Sequence, residues 1–98
     1  MNDEALQLPA ATLARRVGAG DRSSLATTDA AFARSQAVGA GPDGLNIFLG
    51  HDREWSRAEA EAIDARVVRG ESVGPLAGVP VAVKDNLATV HLPTTCGS

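Results

Sequence analysis

The stretch that decides the fold is Gly74–Asn86, which reads Gly-Pro-Leu-Ala-Gly-Val-Pro-Val-Ala-Val-Lys-Asp-Asn. Residues 79–83 carry no polar side chain, and Lys84 follows where this apolar run stops. Alternate residues of a strand point to opposite faces, so the three valines would share one face, and the proline and alanine between them the other. A run that is apolar on both faces is typical of a strand covered on both sides. The stretch therefore predicts an α/β fold, and Pro80 places the strand at a sheet edge or a bulge because it cannot donate to the ladder.

Lys84 is the candidate functional residue of this stretch. Ligand sites in open α/β sheets tend to lie at strand ends, which is where the pattern places the lysine. Partial burial would remove hydration from its ammonium group and lower its pKa, and a neutral amine can act as a general base. Spacing alone also fits an exposed lysine just past a strand, so both interpretations remain open at this point.

Two helices are predicted at the start of the chain. We expect residues 1–8 to be frayed. Pro9 suits the first turn of a helix, which then keeps helical spacing up to Gly18. A second amphipathic helix is predicted over residues 24–38, with Asp21 or Ser23 as its cap.

A third helix is predicted from about Arg53 to Arg69, where Gly70 stops it. One of its faces is apolar and small, and permits close approach to a neighbouring helix or sheet; it is lined by Trp55, Ala58, Ala62 and Ala65. Another side carries charges at helical spacing and is interpreted as solvated; it consists of Glu54, Arg57 and Glu61.

A short strand is predicted over residues 45–49, between the second and third helices. His51 and Asp52 follow at its end, but two neighbouring polar residues are too few for a metal site. Asp52 is better explained as the N-cap of the third helix. Cys96 has no partnering base in the pattern and is interpreted as a structural residue, and His91 is interpreted as a loop histidine.

Composition restricts the classes of function. The net charge is −3 and no basic stripe appears, which argues against direct nucleic-acid binding by these 98 residues. The single cysteine gives no disulfide framework and fits a reducing cytosol. The start of the chain lacks the pattern of a signal peptide, and its apolar runs are too short to span a membrane.

Residues 74–86, together with the run Thr94-Thr95-Cys96-Gly97-Ser98, resemble the amidase signature family of Ser–Ser–Lys hydrolases. The close resemblance covers residues 74–98, and a weaker one in helix layout covers residues 12–70. Within the family, Cys96 is typical of the A subunits of tRNA-dependent amidotransferases, because many general amidases carry alanine there.

The resemblance implies that Lys84 is the general base of the catalytic triad, acting through a bridging serine on a nucleophilic serine. Both serines belong to a Gly/Ser-rich stretch of the family that this chain lacks. We therefore expect residues 1–98 to be the N-terminal part of one amidase domain, inactive alone. Residues 9–38 would be helical, and residues 45–98 would begin a mixed, helix-covered sheet, incomplete here.

The resemblance also implies partners. The complete protein would hydrolyse glutamine and supply ammonia that converts Glu-tRNA(Gln) or Asp-tRNA(Asn) to its amide. It would need no cofactor or metal of its own. A B subunit would use ATP and Mg²⁺ and make most of the tRNA contacts, and a small C subunit would complete a cytoplasmic heterotrimer with no membrane association.

Two other functions stay open at the level of sequence. The first is a stand-alone amidase of the same family that acts on small amides. The second is a non-catalytic helical module that binds partners through its alanine-rich faces. The downstream sequence and a replacement of Lys84 would discriminate among them.

Overall fold

The computed structural model describes residues 4–39, 42–44, 50, 52–83 and 92. A 3-10 helix, Glu4–Gln7, is followed by three α-helices: α1 (Ala10–Gly18), α2 (Ser24–Gly39) and α3 (Arg53–Val68). The three predicted helices are confirmed with nearly the predicted bounds.

The first residues of the chain are more ordered than the sequence predicted. The expectation that residues 1–8 fray is wrong for Glu4–Gln7, which form a 3-10 turn. Its Ala5 is buried in the core, and Leu8 packs against the same cluster. Burial of these apolar side chains holds a segment whose local sequence has no strong helix signal.

Helices α1 and α3 end in the same way. In α1 the amide of Gly20 donates to the carbonyl of Val17, and the amide of Asp21 donates to that of Arg16. Gly20 has φ +81°, a left-handed conformation that costs other residues energy. Gly70, with φ +76°, ends α3 through the same pair of bonds. This Schellman arrangement satisfies carbonyls that a helix end would otherwise leave unpaired.

The beginning of α2 is capped from two directions. The hydroxyl of Ser23 accepts from the amide of Ala26 at 3.1 Å, as the sequence predicted for a cap. The carboxylate of Asp64, on α3, accepts from the amides of Ser24 at 2.6 Å and Leu25 at 3.0 Å. It also accepts from the Ser23 hydroxyl at 2.8 Å. Asp64 therefore ties the start of α2 to the middle of α3.

The core is small and lies around α1. Its buried members are Ala5, Leu13 and Val17, and three half-buried residues pack against them: Leu8, Ile63 and Val79. Val17 is only 1% exposed. The cluster therefore joins α1 to α3 and to the segment that precedes Lys84.

Helix α3 packs against α2 through a face other than the alanine-rich one. Ala60 is buried, whereas Trp55 is 42% exposed. Arg57, interpreted from the sequence as solvated, is half-buried beside Asp29 of α2, with Nε 3.2 Å from the carboxylate. That interpretation is wrong for Arg57, because its partner lies on another helix and cannot be seen in helical spacing.

The predicted strands are not seen in the described part of the chain. Residues 45–49 lie outside it, and residues 79–83 are described but form no strand. A strand needs a ladder partner, and no described segment provides one. The helical part of the α/β prediction is therefore observed, and its sheet stays a prediction.

The end of α3 gives a pH-dependent prediction. Glu71 is exposed and pairs with Arg69. The hydrogen bond and charge of Arg69, with the charge of Arg66, hold the pKa of its carboxyl below 4.5. A lowered folded-state pKa stabilises the fold above the unfolded pKa, and this contribution disappears as pH falls through the folded value. Glu71→Gln should therefore lower the melting temperature slightly at pH 7, and by less at about pH 3. Circular dichroism melts at both pH values test this, and an equal difference at both would contradict it.

Candidate active site

The segment before Lys84 begins with two tight turns. The amide of Ala77 donates to the carbonyl of Gly74, and the amide of Val79 donates to that of Leu76, each at 3.1 Å. Gly78 has φ +78°, a conformation that glycine adopts without the strain of a Cβ atom. Residues 74–79 therefore form a loop made of two consecutive turns.

Gly78 lies directly against α1. A Cβ atom at this position would come within 2.8 Å of both Cγ atoms of Val17 and within 3.2 Å of its Cβ. Real Cβ atoms do not approach carbon so closely, because contact distances between carbons are about 3.5–4.0 Å. The absence of a side chain at Gly78 is therefore what allows the loop to pass so close to the helix.

Among residues 74–83, Val79 is the last one that packs against the core. It packs, half-buried, against the cluster that contains Val17. Beyond it, Val81 is 75% exposed and Val83 is 49% exposed. Together with Leu76, which is 60% exposed, these two valines present apolar surface to solvent.

Lys84 lies outside the described residues, so its general-base role stays a prediction. The covalent chain still bounds its position: four residues separate it from Val79, so their Cα atoms are at most roughly 18 Å apart. A short segment therefore joins the candidate lysine to Val79, which packs on the core around α1.

The other residues considered from the sequence divide into two groups. Asp52 is the N-cap of α3, since its carboxylate accepts from the amide of Trp55 at 3.0 Å, as predicted. His51, His91 and Cys96 lie outside the described residues. In the part of the chain that the structure describes, no three His, Cys, Asp or Glu side chains could hold a metal ion together. None of the described helices is long and apolar enough to cross a bilayer.

Sequence reasoning missed two contacts that shape this region. The bonds from Asp64 to the start of α2 join residues about 40 positions apart, and no local pattern announces them. The Gly78–Val17 contact was also missed, although a glycine between Ala77 and Val79 marked a special backbone position.

Comparison with known proteins identifies the family of this chain. The family model described as Amidase matches residues 26–98. The chain is 42% identical over 93 residues to the A subunit of the glutamyl-tRNA(Gln) amidotransferase of Streptomyces coelicolor, covering 95% of this chain and 18% of that protein. It is 48% identical over 91 residues to the protein of the same name from Salinispora arenicola, covering 93% of this chain and 18% of that protein.

A third relative of that name, from Gloeobacter violaceus, is 57% identical over 54 residues, or 55% of this chain and 11% of that protein. No solved structure matches. The chain spans about a fifth of the length of the curated relatives that it matches along most of its own length. The match to the family model covers most of the chain, and on this finding the chain belongs to the amidase family.

Proposed function

We propose that this chain is part of the glutamine-hydrolysing component of a tRNA-dependent amidotransferase. The observation that carries the proposal is the identity of 42–48% to proteins named as the A subunit of glutamyl-tRNA(Gln) amidotransferase, over more than nine-tenths of the chain. The Lys84-Asp85-Asn86 motif lies inside the matched region. The relatives are about five times longer, so the activity is proposed for the complete protein that carries these residues.

Lys84 is the proton acceptor in this proposal. It takes a proton through a bridging serine, so that a second serine hydroxyl can attack the amide carbon of glutamine. Collapse of the tetrahedral intermediate breaks the C–N bond, the nitrogen leaves as ammonia with the proton returned from the lysine, and an acyl-enzyme remains for water to hydrolyse. Backbone N–H groups stabilise the oxyanion. Both serines would come from the rest of the complete protein.

The fold proposed for the complete protein is α/β. Residues 45–49 and 79–83 would be strands of a mixed sheet, and the exposed Val81 and Val83 support this. Covering Val81 would stabilise the fold by about 1.5 kcal/mol, and covering the half-exposed Val83 by less. The three helices would form a layer at one side of this sheet.

The ammonia would be used by a partner protein of the complex. Its B subunit would activate the carboxylate of Glu-tRNA(Gln) or Asp-tRNA(Asn) with ATP and Mg²⁺, and ammonia would displace the activated oxygen to give the amide. A small C subunit would complete the heterotrimer. The names of the relatives state the Glu-tRNA(Gln) reaction for those proteins, and this supports the same substrate here.

The test is the conversion of radiolabelled Glu-tRNA(Gln) to Gln-tRNA(Gln) by the complete protein purified with its partner subunits, ATP and glutamine. Ammonium chloride in place of glutamine is the control, since free ammonia bypasses the glutaminase. We expect conversion with either nitrogen source. Conversion with ammonium alone would contradict glutamine hydrolysis by this protein. Hydrolysis of small amides without any tRNA conversion would instead identify a stand-alone amidase.

A further inference from the structure

The geometry points to Gly78 and Val17 as positioning residues. Their contact fixes the place at which the segment that leads to Lys84 leaves the core around α1. This inference rests on the proposed function, because it assumes that Lys84 is the general base of glutamine hydrolysis. Nothing in the Lys-Asp-Asn motif itself points to Val17, which lies on α1, more than fifty positions earlier in the chain.

Neighbouring contacts hold both Val17 and Gly78 in place. Val17 is 1% exposed, lies in α1 and belongs to the buried cluster with Leu13 and Ala5. Gly78 is fixed by the turn that joins the Val79 amide to the Leu76 carbonyl. Since a Cβ atom at Gly78 would lie 2.8 Å from the Cγ atoms of Val17, neither side can accept added volume without moving.

The contact is also where the segment leaves the core. Val79 is half-buried against the cluster, whereas Val81 is 75% exposed. In this proposal, a displacement of the backbone at Gly78 moves Val79 and with it the start of the segment that leads to Lys84. A misplacement of about 1 Å at a catalytic group can lower a rate by about 10²-fold.

The experiment compares two glycines that share a backbone conformation. Gly78→Ala adds a Cβ atom against Val17. Gly70→Ala is the matched control, since Gly70 has φ +76° and nothing within 4 Å of the added atom. Both substitutions bring the same left-handed strain, and only the first brings the collision. Val17→Ala in the Gly78→Ala background tests rescue, because it removes both Cγ atoms from the contact.

Each variant is made in the complete protein with its partner subunits, and glutaminase kcat and KM are measured. Each kcat is divided by the ammonium-dependent amidation rate of the same preparation, so loss of folded, assembled protein does not lower the normalised value. For Gly78→Ala we expect kcat to fall about 10- to 100-fold with KM for glutamine nearly unchanged. For Gly70→Ala we expect kcat within about threefold of wild type, and the double variant should recover about fivefold or more over Gly78→Ala.

The outcomes separate this inference from the proposed function. If Gly78→Ala loses no more kcat than Gly70→Ala, the positioning role is overturned while glutamine hydrolysis by the wild type stands. A fall in kcat for Gly78→Ala without recovery in the double variant overturns the role of Val17. A wild-type protein that does not hydrolyse glutamine, or a Lys84→Ala variant with full activity, overturns the proposed function and this inference with it.

A second variant keeps the test decisive if Gly78→Ala yields no folded protein. Val17→Ile leaves the glycine backbone intact and adds a methylene group to the helix side of the contact. Over-packing of this kind shifts backbones rather than leaving space. A fall in kcat of about fivefold or more supports the positioning role, and a kcat within about twofold of wild type overturns it.

Discussion

Replacing Lys84 with alanine in the complete protein is expected to lower glutamine-dependent amidation of Glu-tRNA(Gln) by about 10²- to 10⁴-fold, the range typical of a lost general base. Ammonium-dependent amidation should stay within about twofold of wild type, because free ammonia does not need the glutaminase. The measurement is the initial rate of Gln-tRNA(Gln) formation with each nitrogen source. The ratio of the two rates reports the glutaminase step apart from folding and assembly.

Lys84→Arg distinguishes a base from a fixed positive charge. Arginine keeps the charge and much of the length, but its very high pKa keeps the guanidinium protonated, so it cannot accept a proton near neutral pH. We expect Lys84→Arg to lose glutamine-dependent activity as fully as Lys84→Ala. Arg34→Ala, at an exposed arginine of α2, is the matched control and should retain full activity. Substantial activity of the Lys84→Arg variant would contradict the general-base role.

Asp64→Ala is expected to lower the free energy of unfolding of the chain by about 2–3 kcal/mol. The substitution removes the acceptor of three hydrogen bonds, those of the Ser23 hydroxyl and the amides of Ser24 and Leu25. Ser24 is 1% exposed, so water cannot easily replace the lost partner of its amide. Urea unfolding followed by circular dichroism at 222 nm measures the change.

Two further variants sharpen this measurement. Asp64→Asn keeps an acceptor oxygen and loses the charge, so it should destabilise the chain by about half as much. Glu61→Ala removes an exposed carboxylate from the same helix and should change the free energy of unfolding by less than about 0.5 kcal/mol. Equal effects of Asp64→Ala and Glu61→Ala would show that Asp64 does not hold α2 and α3 together.

The helices could be predicted because their ends are marked by local chemistry. Pro9 precedes α1, the Asp52 carboxylate caps α3, and Gly20 and Gly70 adopt positive φ after the two helices. Each signal acts within a few residues of the helix end, so the sequence alone contains it. For this reason the predicted bounds of 24–38 for the second helix nearly match the observed Ser24–Gly39.

The packing of the helices could not be predicted in the same way. Helical spacing presents Asp64 and Arg57 as ordinary surface charges, whereas the structure joins one to the start of α2 and the other to Asp29. These partners are far away along the chain, and a single sequence does not indicate which charged residues meet. The alanine-rich face of α3 was expected to permit close packing, but its Trp55 is 42% exposed, so it is not the face that packs against α2.

The candidate site depends on parts of the amidase fold beyond these residues. The proposed sheet would need neighbouring strands and the proposed triad would need its serines, and the chain spans about a fifth of the length of its relatives. The described residues contain the turn at Gly78, its close approach to Val17 and the packing of Val79 on the core, which we propose as the support for the site. The last of these, Val79, lies five residues from the proposed base.

The central claim, that Lys84 is the proton acceptor of an amidase triad, is tested most directly by a crystal structure of the complete protein with its partner subunits. The decisive quantity is the distance from Lys84 Nζ to the nearest serine Oγ. We expect about 2.6–3.2 Å, within reach of a direct proton transfer. A lysine whose Nζ points into bulk solvent, with no serine hydroxyl within hydrogen-bonding distance, would contradict the account.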